Sequence, residues 1–315
     1  MTQSPILTVT LNPALDLSAQ TPSVVPGPKL RCSDLVQEPG GGGINVSRAI
    51  LELGGKSRAL VGLGGAVGKM LAGQLADVGI ETVVLPISGE TRQSLSVIET
   101  GTGAQFRFVM PGPVWSTDDE ARALALVHEQ LVPGTQVVLS GSQPPGVDVS
   151  FPARLGAICT KAGAVLMADT SGSALAGLAQ NGGVDILRMN RDESEALAGH
   201  TLPTLADSVA FARDLFGPGR ADIVLIARGD EGTVLVTPDQ ALHCRTPVVQ
   251  VVSAVGAGDS FVAAFVLALA RGQDLGSALA FGTAAAAAAV MTPGTALCRA
   301  NDVARLVSAC YLESC

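Results

Sequence analysis

The segment Val255-Gly256-Ala257-Gly258-Asp259-Ser260 runs directly into an apolar stretch, FVAAFVLALA. Glycines ahead of a helix let several backbone N–H groups converge on one anion, and the helix N-terminus adds partial positive charge. An Asp in that first turn can accept the proton of an attacking hydroxyl while the N–H groups take up charge developing on a transferring phosphoryl group. Asp259 is therefore a candidate base, with Gly256, Ala257 and Gly258 as its anion cradle. The same letters also fit an ordinary Asp in a first helical turn.

A second cluster, Pro39-Gly40-Gly41-Gly42-Gly43-Ile44-Asn45, precedes a helix expected from Val46. Bare glycines let a ligand lie against the main chain, and Asn45 offers a donor and an acceptor for a sugar hydroxyl; a hinge with an N-capping Asn is the plain alternative. The glycines at 62, 64, 65 and 68 imitate a dinucleotide loop, but Val67 stands at the sixth position counted from Gly62, and this speaks against an oxidoreductase. No GxxxxGK[ST] occurs, so a nucleotide site must use another design. Lys29, Arg31 and Arg92 lie in short polar segments where two of them could neutralise a phosphate, although single surface cations are usually solvated. Asp16 could fix sugar hydroxyls or simply shape a turn. His128, His200 and His243 share no metal-ligand spacing and no hydrolase triad is apparent.

These residues must be held by a framework, and its character follows from the rest of the chain. With 20 basic and 28 acidic residues the formal charge is −8, which excludes a broad electrostatic footprint for nucleic acid. The six cysteines form no CxxC pair, so neither a zinc site nor a disulfide framework is expected, and a reducing cytoplasm fits. The start MTQSPILTVTLNPALD lacks the basic and apolar regions of a signal peptide, and the apolar segments 260–270 and 278–290 read as buried helices rather than membrane spans.

Strand-like runs at 6–11, 57–63, 136–141, 164–169 and 222–227 alternate with helix-like runs at 45–53, 68–78, 150–162 and 204–216. This predicts an α/β domain over 1–315 built on a doubly wound, mostly parallel sheet. Two polar-alternating inserts, about 15–37 and 91–110, predict strand pairs that form a small β-sheet lid, whose apolar face would be covered by the same strands of a second chain in a homodimer. A hairpin after 232 and three helices near 257–271, 275–290 and 300–312 complete the chain.

Taken together, GGGGINVSRAILELGG at 40–55 and VGAGDSFVAAF at 255–265 resemble the two signatures of the PfkB, or ribokinase-like, carbohydrate kinase family, and the resemblance runs from about Leu7 to the C-terminal helix. It implies an enzyme in which MgATP phosphorylates a sugar with the Asp of Gly-Ala-Gly-Asp as base. The segments LNPALD, GPKLRC, TRQSL, QFRFVMPG and SGSQPPGV look most like members that convert fructose 6-phosphate to fructose 1,6-bisphosphate. On that resemblance Asp16, Lys29, Arg31, Gly41, Gly42, Asn45, Arg92 and Ser142 bind the sugar phosphate. Members acting on tagatose 6-phosphate or fructose 1-phosphate commonly carry a Lys where this chain has Gly42-Gly43; these acceptors and nucleosides are the alternatives.

The resemblance also places ATP along Arg188, Asn190, Ala227, Gly229, Gly232 and Ser253, Mg2+ near Glu193, and K+ among carbonyls near Ser253, Val255, Ala289 and Gly294. The chain departs from the family in three places: Arg188-Met189-Asn190 replaces Lys-Pro-Asn, Ala227 replaces a hydroxyl residue, and Thr292-Pro293-Gly294-Thr295 replaces Asn-Gln-Gly-Thr. The first two leave room for a non-catalytic sugar-phosphate sensor, which the intact Asp259 opposes.

Overall fold

The computed structural model describes residues 2–33, 35–294 and 296–315. Strands β1 (Ile6–Thr10), β2 (Ala14–Thr21) and β3 (Val36–Gly40) lead into α1 (Gly42–Glu52). Then come β4 (Arg58–Leu63), α2 (Gly65–Asp77), β5 (Glu81–Pro86), β6 (Arg92–Glu99), β7 (Gln105–Val109) and α3 (Thr117–Gln130). The middle of the chain alternates: β8 (Gln136–Ser140), α4 (Phe151–Ala162), β9 (Val165–Asp169), α5 (Gly172–Asn181), β10 (Ile186–Asn190), α6 (Arg191–Ala198), α7 (Leu205–Asp214) and β11 (Ile223–Ala227). It closes with β12 (Thr233–Val236), β13 (Ala241–Arg245), α8 (Ala257–Ala270), α9 (Leu275–Val290), α10 (Ala300–Leu306) and β14 (Tyr311–Ser314).

The large sheet has ten strands in the order β14-β13-β12-β11-β10-β9-β8-β1-β4-β5. Strands β11 through β5 in that order run parallel, and β12, β13 and β14 add on antiparallel. Its central strands, such as β1, β8 and β11, are buried at most positions because both faces are covered, whereas the edge strands β5 and β14 are largely exposed or half-buried. Leu7, Val9, Val137, Leu139, Leu166 and Ala168 enter the core shared with α3, α4 and α5. Ile6, Val138 and Met167, at the intervening positions, enter the core shared with α1, α8 and α9. Helix α8 is buried almost all round, and the small residues of α9 allow close packing: a Cβ on Gly282 would lie 2.9 Å from the Phe261 ring.

Strand β1 pairs with β4 on one side and β8 on the other, so the chain direction around the sheet reverses there and a crevice opens beyond the carboxyl ends of those strands. The loop after each strand reaches into it, and Asn12 Nδ2 donates to Ser142 Oγ at 3.2 Å. Over this crevice stands a second sheet of four strands in the order β3-β2-β6-β7.

Three local expectations need correction. The second lid strand falls at Val36–Gly40 rather than within 15–37, because Pro22, Pro26 and Pro28 interrupt the segment before it. The helix expected from Val46 starts at Gly42, with Gly41 as its cap at φ 120°, so Asn45 sits in the first turn and does not cap. The last helix ends at Leu306, and Tyr311–Ser314 pairs antiparallel with β13 instead of continuing it.

Candidate active site

Gly256 caps α8 at φ 78°, a left-handed conformation, and as a glycine it offers no side chain to occupy the first-turn N–H groups. Asp259 follows within that turn. Asn45 Nδ2 donates to Asp259 Oδ2 at 2.9 Å, while Arg48 Nη1 donates to Asn45 Oδ1 at 3.4 Å and to the Pro39 carbonyl at 3.2 Å. Arg48 thereby orients the Asn45 amide with its donor toward the carboxylate. Burial pushes the Asp259 carboxyl up to about 6; nearby Asp169 adds to the rise, and the Asn45 hydrogen bond and Arg188 oppose it.

A cleft of about 330 Å3 opens on one side of Asp259, between the small sheet and the glycine-rich start of α1, with Asp16, Gly41, Asn45, Arg92 and Gly256 on its walls. Strand alternation explains the polar wall. Asp16 pairs with Ser94 and Ser18 with Ser96, and Ser96 in turn pairs with Arg107, so these side chains share one face. Burial raises the Asp16 carboxyl to about 6, against the pull of Arg92 and Arg107. Arg92 is fixed from behind, with Nε donating to the Asn12 carbonyl at 3.2 Å.

On the other side of the same turn lies a pocket of about 620 Å3 with a different lining: Gly229, Gly232, Val249, Val251, Phe261 and Ala287, ending at Ala257, Gly258 and Arg188. Arg188 lies at the Asp259 end of this second pocket. Its Nη1 donates to Asp169 Oδ1 at 2.9 Å, and a Cβ on Gly258 would lie 3.1 Å from the guanidinium, so the cation covers the α8 N-terminus. Arg188 Nε is buried without a hydrogen-bond partner.

Of the residues expected to bind a sugar phosphate, Asp16, Gly41, Asn45 and Arg92 meet around Asp259. Gly42 lies beneath the site, where a Cβ would collide with Ser140 Oγ. Ser142 is exposed on an adjoining groove that also contains Arg92. Lys29 and Arg31 are exposed on the segment after β2 and do not line the cleft. Of the residues expected to hold ATP, Arg188, Ala227, Gly229 and Gly232 line the second pocket.

Asn190 caps α6, its Oδ1 accepting from the Glu193 N–H and its own N–H donating to Glu193 Oε2, both at 2.8 Å. Ser253 Oγ donates to the Gly294 carbonyl at 3.0 Å and accepts from the Val255 N–H at 3.2 Å, and the Ala289 carbonyl accepts from Thr292 Oγ1 at 2.7 Å. Thr295 lies outside the described residues. Among the described residues no group of three or more His, Cys, Asp or Glu side chains is placed to hold a metal ion.

Sequence reasoning missed Asp169 and Arg107. Asp169 ends an apolar strand at the carboxyl edge of the parallel sheet, in register with Arg188 on β10; that strand-end position was the available signal. Arg107 alternates with Phe106 and Phe108, a pattern that places it opposite the apolar face of its strand.

The model of the pfkB family carbohydrate kinases matches residues 10–302. The ATP-dependent 6-phosphofructokinase isozyme 2 of Mycobacterium tuberculosis strain H37Rv is 39% identical over 300 residues, covering 95% of this chain and 88% of that protein. A 1-phosphofructokinase of Xanthomonas campestris is 34% identical over 270 residues, 84% of this chain and 83% of that protein. Among solved structures, phosphofructokinase-2 from Escherichia coli in complex with potassium matches at a TM-score of 0.92 and 36% identity, covering 98% of this chain and 99% of that one.

Proposed function

Because the chain belongs to the pfkB family of carbohydrate kinases, we propose that it uses ATP to phosphorylate fructose 6-phosphate, giving fructose 1,6-bisphosphate. The observation that carries this reading is the position of Asp259, on the turn shared by a cleft rich in charged groups and a glycine-lined apolar pocket. Asp259 takes the proton of the acceptor's primary hydroxyl as that oxygen bonds to the γ-phosphorus, and the bond to the bridging oxygen breaks to release ADP. The Gly256–Gly258 backbone and the Arg188 guanidinium beside it take up charge on the transferring group. Arg92 and Arg107 face the acceptor's own phosphate and Asp16 its hydroxyls.

The residues present fit a magnesium nucleotide. Mg2+ is commonly bound by one or two carboxylates together with substrate phosphates, and the half-buried Glu193 is the carboxylate we assign to it through water. When bound, Mg2+ neutralises phosphate charge. K+ bound among the carbonyls of Ser253, Val255, Ala289 and Gly294 belongs to the same proposal, and it would share the Gly294 and Ala289 oxygens with the hydroxyls they already accept from.

The chain is proposed to act as one domain and as a homodimer joined through the lid. Leu17, Leu95 and Phe108 stand side by side across three strands on the face away from Asp16, and Phe108 is 49% exposed. Lys29 and Arg31, outside the cleft of their own chain, then join a site only where two lids pair. A monomer in light scattering at micromolar concentration would remove this part. A cytoplasmic location is proposed on the scattered cysteines, all six of which are free thiols. Among the described residues no helix is long and apolar enough to cross a membrane.

The test is initial-rate ADP production with MgATP across fructose 6-phosphate, tagatose 6-phosphate, fructose 1-phosphate and unphosphorylated sugars, with and without potassium. Preference for fructose 6-phosphate supports the proposal. Preference for another phosphate reassigns the acceptor, and no turnover on any sugar favours a sensor.

A further inference from the structure

Gly229, Asp230 and Gly232 form one wall of the apolar pocket, and their turn hangs from a buried cation that does not itself line the pocket. Arg228 is 1% exposed. Its Nε and Nη2 donate to Glu231 Oε2 at 3.1 and 2.8 Å, Nη1 donates to the Leu202 carbonyl at 3.1 Å and to Ser208 Oγ, and Nη2 donates to the Pro203 carbonyl at 3.0 Å. These acceptors match the five N–H groups of a guanidinium, a set that Lys, with three donors from one point, cannot reproduce. The main chain closes the same turn, since the Arg228 N–H donates to the Gly232 carbonyl at 2.8 Å.

The Glu231 carboxylate has a second partner. Arg191, the residue after Asn190, donates Nη2 to Glu231 Oε1 and to the Arg228 carbonyl, the latter at 3.3 Å. Glu231 thus links Arg228, which is anchored to the α6–α7 connection at Leu202 and Pro203, with the first residue of α6. The glycine turn and the Asn190–Glu193 cap are tied into one body, although neither Arg228 nor Glu231 is an obvious pocket residue in the sequence.

We propose that Arg228 and Glu231 are positioning residues for the nucleotide: they fix the Gly229–Gly232 turn against the start of α6, so that the pocket is already shaped before ATP arrives. A turn without this tether must be ordered at the cost of binding, which weakens nucleotide affinity and leaves the acceptor cleft untouched. The inference rests on the reading of this pocket as the ATP site.

The experiment compares wild type with E231A, E231Q and R228K, varying ATP and fructose 6-phosphate independently and titrating each free protein with a fluorescent N-methylanthraniloyl-ATP. Loss of a charge-assisted tether predicts that E231A raises the ATP KM and the dissociation constant of the analogue by about tenfold, with the fructose 6-phosphate KM within about twofold of wild type. E231Q, which keeps one acceptor, should fall between, and R228K should behave like E231A. An unchanged ATP KM and analogue affinity in E231A overturns the proposal, as does a uniform loss in both substrates that tracks a lower melting temperature, which marks a purely structural network. If the wild type binds the analogue nowhere and produces no ADP, the ATP-site reading itself fails, a result separate from any difference among the variants.

Discussion

The proposed acceptor cleft and the proposed nucleotide pocket share the turn from Val255 to Asp259, yet their walls differ in material. The first is walled by Asp16, Arg92, Ser94 and Arg107 on strands of the four-stranded sheet. The second is walled by glycines and apolar side chains at the edge of the ten-stranded sheet and on α8 and α9. Discrimination between sugar phosphates requires paired charges and hydroxyl acceptors, since a polar site penalises a ligand that leaves them unmatched. Grip on a flat base and a polyphosphate requires apolar surface and main-chain N–H groups. Substitutions on the two sides should therefore separate in kinetics, and only groups at the junction should change turnover itself.

The largest effect is expected at the junction. D259N removes the proposed base but keeps the side-chain shape, so kcat should fall by about 1,000-fold with both KM values little changed. If D259N instead raises one KM and keeps kcat, Asp259 belongs to a single side and the partition fails.

The same variant should be more stable than wild type at high pH. A carboxyl whose folded pKa is pushed up to about 6 from an ordinary value of 3.8 opposes folding wherever it is ionised. That cost is absent below the unfolded value, grows between the two and is complete above about 6. D259N should therefore gain on the order of 2 to 3 kcal/mol at pH 8 and nothing near pH 3.5, measured by denaturant unfolding. Equal stability at pH 8 would mean that the carboxyl is not desolvated.

Next comes R188M, which leaves Asp169 without its ion pair and uncovers the α8 N-terminus. We expect kcat and kcat/KM for both substrates to fall together by about 30-fold, the sign of an interaction made mainly in the transition state. A rise in ATP KM alone would place Arg188 on the nucleotide side. The smallest effect is expected from R92A, which should raise the sugar-phosphate KM by about tenfold while the ATP KM stays within about twofold. A matching rise in ATP KM would show that the two clefts are not independent.

Features confined to one short stretch are legible in the amino-acid sequence. The Gly-Ala-Gly-Asp turn and its apolar helix, the glycine run before α1, and the alternation that builds the parallel sheet each announce themselves in consecutive residues. Contacts that join distant strands do not. Asp169 and Arg188 lie 19 residues apart and meet only because β9 and β10 are neighbours in register. Arg228 reads as a loop charge beside Gly229 until the α6–α7 connection is seen to cover it. Strand β14 reads as the end of a helix because YLES is too short to show a period, and it is specified by the edge of β13 that it completes. Lys29 and Arg31 are suggested by their short polar segments and by the resemblance, yet a single chain leaves them outside its own cleft.

The most direct test of Asp259 as the base shared by both substrates is the pH dependence of kcat/KM for the acceptor, compared between wild type and D259N. Catalysis by an ionised carboxylate predicts that wild-type kcat/KM rises tenfold per pH unit below about 6 and levels off above it, and that this limb is missing from the residual activity of D259N. The same limb persisting in D259N would contradict the assignment and move the base to another carboxyl of the site, with Asp16, also raised to about 6, as the first to examine.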